Sequence, residues 1–335
     1  MRRKPRPLLM RREKNKMLTL SETAAALQGA AKVVITAHVN PDGDAIGSSL
    51  GLMHLLRALG KDVTVLLDDD IPAAFSVLPG YDVIERPREG EAIACDVFVI
   101  LDTMSDRIGG TSGAVRARRI LNIDHHHTNT GTAGEELYLD GTRAATAEII
   151  YDLAGALGVR PDAAAAACLY TGLATDTGFF RFSNATAHTY RAAADLLEAG
   201  AEPHVISEAL EVRPLQTVRD LAEALSQMEL FADGKACGIF LTQAQTARMA
   251  ATESFIGHIR VIDGVDVAVV LKCKEPELCR VSMRSKRVDV SRIAASFGGG
   301  GHVRAAGCTL TQPFAEAKQT IMDAIARAIR EDWTV

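Results

Sequence analysis

From residue 31 onwards, short runs rich in valine and isoleucine alternate with helical stretches, and that alternation leaves few architectures open. AKVVITAH (31–38), KDVTVLL (61–67), DVFVIL (96–101) and RRILNID (118–124) read as strands. β-branched residues cluster in them more tightly than in a half-exposed strand, which suits a parallel sheet covered on both faces. AIGSSLGLMHLLRALG (45–60) supplies a crossover helix stopped by Gly60. ATAEIIYDLAGALG (145–158) and PDAAAAACLYTGLATD (161–176) are alanine-rich helices, the second expected to open on Pro161, because proline at a first helical position forfeits no hydrogen bond. The pattern predicts an α/β domain whose parallel sheet carries helices on both faces.

After about residue 185 the pattern changes. Residues 186–232 are helical in character and are expected to link a first domain (18–185) to a smaller C-terminal α/β domain (233–335). In the latter, ACGIFLTQ (236–243), DGVDVAVVLKC (263–273), LCRVSMRS (278–285) and AAGCTL (305–310) alternate more cleanly, as in a sheet with one covered face. A helix in VDVSRIAASF runs into GGGGH. Residues 1–17 carry eight Lys or Arg and one Glu, with no apolar stretch long enough for a signal peptide. They are expected to form a disordered basic tail.

Bulk composition limits function. The 335 residues suffice for two cores, and a net charge of −5 argues against wrapping long nucleic acid. That charge leaves room for a small anion held in a local positive pocket. Aromatic residues make up only 5%, which gives a long single strand little stacking surface. No apolar run approaches the roughly 18 to 20 residues of a membrane span. The six cysteines contain no CxxC pair and are expected to be reduced, mostly buried thiols of a cytoplasmic protein.

Ligands of an open parallel sheet bind beyond the carboxyl ends of its strands. The first strand leads into AHVNPDGDA, bringing His38, Asp42 and Asp44; the third ends at Asp102 and the fourth at Asp124, His125 and His126. Asp176 follows at the end of a helix, in ATDTGFF. One aspartate after a strand is ordinarily a turn residue or a helix cap. Five at one edge would raise one another's pKa and destabilise the fold unless cations compensate them. Asp42, Asp44, Asp102 and Asp176 balance two divalent ions, and carboxylates with imidazole and no thiolate favour Mn²⁺ or Mg²⁺ over structural zinc.

HVNPDGDAIGSS, VILDTMSD, IDHHH and TDTG together resemble the four motifs of the DHH phosphoesterase superfamily, and VSMRSKRVDVSRIAASFGGGGHVRAAG resembles the DHHA1 domain. The likeness spans roughly residues 20 to 330, and its short two-lobed form is similar to the bacterial nanoRNase/pAp phosphatase group. It implies one Mn²⁺ on His38, Asp42 and Asp102, and a second on Asp44, Asp102, His125 and Asp176. It further implies that His126 faces the scissile phosphate and that Asp124 orients an imidazole. Two such metals activate water and neutralise the phosphoryl group in an in-line displacement. His127, a third histidine after the DHH triplet, is expected to be a surface residue without a role.

In the resembling enzymes the C-terminal domain grips the nucleotide end opposite the metals. Arg284, His302 and the backbone N–H groups of Gly298, Gly299, Gly300 and Gly301 are the candidate contacts, with Arg260 as a further one. Small Ala305 and Ala306 are expected to leave room for a base. The resemblance thus implies hydrolysis of short oligoribonucleotides to nucleoside 5′-monophosphates, and removal of the 3′-phosphate of 3′-phosphoadenosine 5′-phosphate (pAp). The same motifs also serve pApA and cyclic di-AMP hydrolysis. An inorganic pyrophosphatase or an inactive nucleotide sensor fits less well, the first because of the GGGGH segment and the second because every expected metal ligand is present. Helical content between the domains is compatible with a homodimer.

Overall fold

The computed structural model describes residues 15–88, 90–249, 252–331 and 333; most of the expected basic tail, residues 1–14, lies outside them. Two compact units meet in sequence at Val212 and Arg213.

The first unit contains β1 (Lys16–Met17), α1 (Leu20–Gln28), β2 (Lys32–Thr36), α2 (Gly43–Ala58), β3 (Asp62–Leu66), β4 (Ile84–Glu85), β5 (Ile93–Leu101), β6 (Val115–Asp124), β7 (Glu136–Leu139), α3 (Thr146–Leu157), α4 (Ala163–Asp176), α5 (Ala187–Glu198) and α6 (Pro203–Glu211). Its strands form one sheet in the order β1-β7-β6-β5-β2-β3-β4, with every pairing parallel. Lys16 and Met17 are therefore not tail: they pair with Glu136 and Leu137, and the Leu18 N–H donates to the Leu137 carbonyl at 2.7 Å.

Alternate residues of β2 and β5 separate two cores. Val33, Ile35, Val97, Val99 and Leu101 pack under the α-helices, whereas Val34, Phe98 and Ile100 meet Ile108 and Ala114 on the other face. That second face is closed by short 3-10 turns (Ser105–Arg107 and Gly109–Gly113) where α-helices were expected. Asp162, not Pro161, caps the start of α4: its side chain accepts the Ala165 N–H at 2.8 Å, and the proline lies one residue further out. Helices α2 and α4 touch through glycine. A Cβ on Gly47 would stand 2.5 Å from the Cys168 carbonyl, and one on Gly172 would stand 2.7 Å from a carboxylate oxygen of Asp44.

The expected linker is divided: α5 and α6 fall in the first unit, while α7 (Leu215–Ser226) falls in the second. The second unit continues with β8 (Glu229–Phe231), β9 (Ala236–Leu241), α8 (Gln243–Arg248), α9 (Phe255–Ile259), β10 (Val267–Glu275), β11 (Leu278–Ser285), α10 (Val290–Ser296), β12 (Gly300–His302), β13 (Ala305–Leu310) and α11 (Phe314–Arg330). Its six strands run in the order β12-β13-β11-β10-β9-β8, and only β9 and β10 pair in parallel.

Helices α10 and α11 cover one face over Val269, Val281 and Met283, and α7 and α9 cover Ile239, Leu241 and Val270 on the other. The expectation of one covered face is corrected here. β9, apolar at every position, needs two cores, and the clean alternation belongs to β11. The cysteine expectation also changes. Cys273 and Cys279 face one another across β10 and β11 and form a disulfide, while Cys95, Cys168, Cys237 and Cys308 are buried free thiols. A spacing of six residues across a hairpin escapes a search for CxxC. Among the described residues, no helix is long and apolar enough to cross a membrane.

Candidate metal centre

In the first sheet the strand order reverses between β2 and β5, and open parallel sheets bind their ligands beyond the carboxyl ends at such a switch point. His38 and Asp42 follow β2, and Asp102 follows β5 directly. Asp124 ends β6, with His125 and His126 next in the chain. Asp44 lies in the first turn of α2, and Asp176 is the last residue of α4. Every residue expected at the metal centre thus converges on one edge of one unit.

Three groups have ligand atoms close enough to share an ion: His38, Asp42 and Asp102; Asp44, His125 and Asp176; and Asp102, Asp124, His125 and His126. His38 Nε2 lies 3.6 Å from Asp102 Oδ2 and 3.7 Å from Asp42 Oδ1. His125 Nε2 lies 3.5 Å from Asp102 Oδ1 and 3.4 Å from Asp176 Oδ2. Each of these rings turns Nδ1 to a backbone carbonyl, Val39 for His38 (2.8 Å) and Arg143 for His125 (3.4 Å). Donation from Nδ1 leaves the Nε2 lone pair for a cation, the arrangement a histidine ligand needs. Asp102 turns Oδ2 to His38 and Oδ1 to His125, and it holds a positive φ of 61°, an uncommon conformation outside glycine that asparagine and aspartate tolerate best.

His126 differs from its neighbour. Its Nδ1 meets Asp124 Oδ1 at 2.7 Å, and its side chain is about half exposed. Asp124 Oδ2 accepts Asn129 Nδ2 at 2.7 Å, so the carboxylate is fixed on both sides. The imidazole that Asp124 orients is therefore the outward-facing His126. Asn129, within the HHHTN segment, was missed by sequence reasoning; its buried amide also donates to Asn122 Oδ1 at 3.1 Å. His127 is exposed, as expected.

The charges in the centre are unbalanced without a cation. Burial, together with Asp102 and Asp176, pushes the Asp44 carboxyl well up. Burial also pushes Asp176 up to about 6. Bonds to Asp102 and Asp42 push His38 up to about 10. Burial works to raise the Asp124 pKa, but the bonds from His126 and Asn129 hold it low. In turn, the bond to Asp124 raises His126. Carboxylates that must take up protons or borrow them from histidine form a donor set that a divalent ion fits, with oxygen and imidazole ligands and no thiolate.

In the second unit, register brings two of the expected substrate contacts onto one row. Arg284 pairs with Ala305, and Ala305 pairs with His302, so all three share one face of the sheet. Ser282, Gly307 and Gly300 form the next row on that face. Ala306 is different: it packs beneath the sheet with Met283 and leaves no room for a base there.

The glycine run is also corrected. Gly298, at φ 71°, donates its N–H to the Ala295 carbonyl at 3.0 Å, and Gly299 donates to Ala294 at 2.9 Å. That bonding ends α10 as a Schellman cap and commits both groups that were expected to face an anion. Gly300 and Gly301 belong to β12. Arg260 lies at the C-terminal end of α9 and is exposed, on an element that packs against the side of the sheet facing Arg284.

The fold and this centre define a class of protein. The DHH family, N-terminal domain, matches residues 32–173, the DHHA1 domain matches residues 236–331, and the chain belongs to the DHH family. A Thermus thermophilus protein named bifunctional oligoribonuclease and PAP phosphatase NrnA is 35% identical over 321 residues, which cover 93% of this chain and 95% of that protein. The Bacillus subtilis protein of the same name is 25% identical over 285 residues, covering 83% of this chain and 89% of its own. Among solved structures, an exopolyphosphatase-related protein from Bacteroides fragilis has a TM-score of 0.81 at 27% identity, over 92% of this chain and 95% of that one.

Proposed function

We propose that this chain is a metal-dependent phosphoesterase that hydrolyses short oligoribonucleotides to nucleoside 5′-monophosphates and removes the 3′-phosphate of pAp, in the cytoplasm. One observation carries the reading: two imidazole Nε2 atoms and the carboxylates of Asp42, Asp44, Asp102 and Asp176 converge at the switch point, with one oxygen of Asp102 facing His38 and the other facing His125. In this reading one Mn²⁺ takes His38, Asp42 and Asp102, and another takes Asp44, Asp102, His125 and Asp176. Mg²⁺ is the weaker substitute. Divalent ions held there supply Lewis acidity for the phosphoryl oxygens and a nucleophile from water at neutral pH. The protein's own part is to hold the ions, orient His126 through Asp124, and deliver a proton from His126 Nε2 to the leaving oxygen. The names of the relatives from Thermus thermophilus and Bacillus subtilis support the substrate class.

A panel of pAp, pApA, cyclic di-AMP, pyrophosphate and RNA from dinucleotides to roughly twenty nucleotides, compared by kcat/KM with Mn²⁺, tests this. Highest values on pAp and on RNA of roughly two to five nucleotides are expected, because the chain offers few aromatic platforms for a longer strand. A preference for pyrophosphate or for the long RNA would overturn it.

Metal binding should release protons. At pH 7 His38, with its pKa pushed up to about 10, is protonated, and below about 6 Asp176 is as well. A cation needs both groups deprotonated, so affinity rises with pH and falls as pH drops. Calorimetric titration with Mn²⁺ at pH 7, in two buffers of different ionisation enthalpy, should show release of at least one proton per chain, from His38 and from the Asp44 carboxyl that burial pushes well up. No release would show that His38 is not a ligand.

In the second unit, Arg284 and His302 are assigned to substrate binding, with Arg260 as a further contact. Arg284→Ala should raise KM by roughly ten- to a hundredfold on a dinucleotide, the value of a charge-assisted contact, with a smaller change in kcat. An activated aryl phosphodiester, which carries no second nucleotide, should be hydrolysed as before. Equal damage to both substrates would make Arg284 structural.

A further inference from the structure

Segment 143–147, which leads from β7 into the first two residues of α3, carries no residue of the proposed centre, yet its polar atoms reach three of the proposed ligands directly and a fourth, Asp176, through Asn184. The Arg143 carbonyl faces His125 Nδ1 at 3.4 Å. The Thr146 and Ala147 N–H groups donate to the two oxygens of Asp44 at 2.6 and 2.8 Å. The Thr146 hydroxyl donates to Asp102 Oδ1 at 3.1 Å. Asn184 Nδ2 donates to both the Ala144 and the Asp176 carbonyls, each at 3.1 Å, and so ties the segment to the last turn of α4. Asp44 thereby supplies the cap that α3 lacks, since Ala145 has no side-chain acceptor.

What fixes the segment is a second layer of charge. Glu148, buried in the first turn of α3, accepts the Ala144 N–H at 2.6 Å with one oxygen. Its other oxygen faces His188 Nδ1 at 2.6 Å and the Thr189 hydroxyl at 3.1 Å. His188 Nε2 lies 3.0 Å from Asp152, whose second oxygen accepts Arg143 Nε at 2.7 Å. One imidazole at the start of α5 thus bridges two carboxylates of α3, and those carboxylates hold the first two residues of the segment.

We propose that Glu148 and His188 are positioning residues that set the affinity of the Asp44–His125–Asp176 cation site through segment 143–147. The proposal deepens the two-metal reading above and rests on it. Partners of metal ligands act in this way because a ligand left free to rotate must be ordered again when the ion binds. The effect falls mainly on that site by geometry: His38 takes its backbone partner from Val39, and the segment's bond to the shared Asp102 goes to Oδ1, the oxygen that faces His125, while Oδ2 faces His38.

Mn²⁺ titration by calorimetry tests the selectivity without using activity. In a His38→Ala chain, which keeps only the Asp44–His125–Asp176 site intact, adding His188→Ala should weaken binding by about 10- to 100-fold. In an Asp176→Ala chain, which keeps the His38 site, the same addition should change binding less than about twofold. His188→Gln keeps a donor for one carboxylate and should fall between wild type and His188→Ala; it also carries the comparison should the alanine variant not fold. Equal weakening in both backgrounds, or none in either, overturns the proposal while leaving the two-metal reading intact. A wild-type chain that binds fewer than two Mn²⁺ overturns both.

Discussion

Asp102→Ala abolishes turnover: kcat is expected to fall by at least about a thousandfold, equivalent to about 4 kcal/mol of barrier. Asp102 stands between the two histidines whose Nε2 atoms face the cations in this reading. Asp102 Oδ2 faces His38 Nε2 at 3.6 Å, while Oδ1 faces His125 Nε2 at 3.5 Å and accepts the Thr146 hydroxyl at 3.1 Å. The residue is buried and sits on a backbone turn with positive φ. Asp102→Asn keeps the shape and removes the charge, and it should lose nearly as much if charge balance is what matters. Metal analysis beside turnover on a dinucleotide separates the possibilities. Full Mn²⁺ content with unimpaired turnover in the alanine variant would remove Asp102 from the mechanism.

The centre was legible in sequence because strand ends address one edge of a parallel sheet, and clustered charge there has few structural excuses. His38, Asp42, Asp102, Asp124 and the two histidines after it could be placed once four strands were recognised. The partners of those groups were not legible. Asn129, Thr146, Glu148 and His188 act through hydrogen bonds that only the folded arrangement brings together, and none belongs to a pattern that period or composition reveals. The short strands β1, β4 and β7 were missed for a related reason, since two to four residues carry no measurable period and take their conformation from the strand beside them. The glycine run misled in the opposite direction. Its composition suggests an exposed anion cradle, but two of its N–H groups are already spent on the carbonyls of Ala294 and Ala295. Cys273 and Cys279 were misread because pairing across a hairpin depends on register, which spacing alone does not supply.

His126→Ala should lower kcat by about 10²- to 10⁴-fold, the usual value of a positioned proton donor, while leaving bound metal nearly unchanged. The ring stands outside the groups that hold the cations in this reading. Its Nδ1 is committed to Asp124 at 2.7 Å, and the side chain is about half exposed, so Nε2 is the nitrogen left to meet a substrate. Asp124 raises the pKa of the ring, which keeps a proton available at neutral pH for the oxygen that leaves phosphorus. The sign of the pH dependence follows. In the wild type, kcat should fall as pH rises through the raised pKa of His126, because the acid loses its proton. In His126→Ala that limb should disappear, leaving a low and flatter profile. Asp124→Asn should produce an intermediate loss and move the limb to lower pH, since the raising partner is weakened while the imidazole remains. Metal analysis of all three proteins is the control. Equal metal loss in His126→Ala and Asp102→Ala would move His126 from the substrate to the cations and overturn its role as the acid.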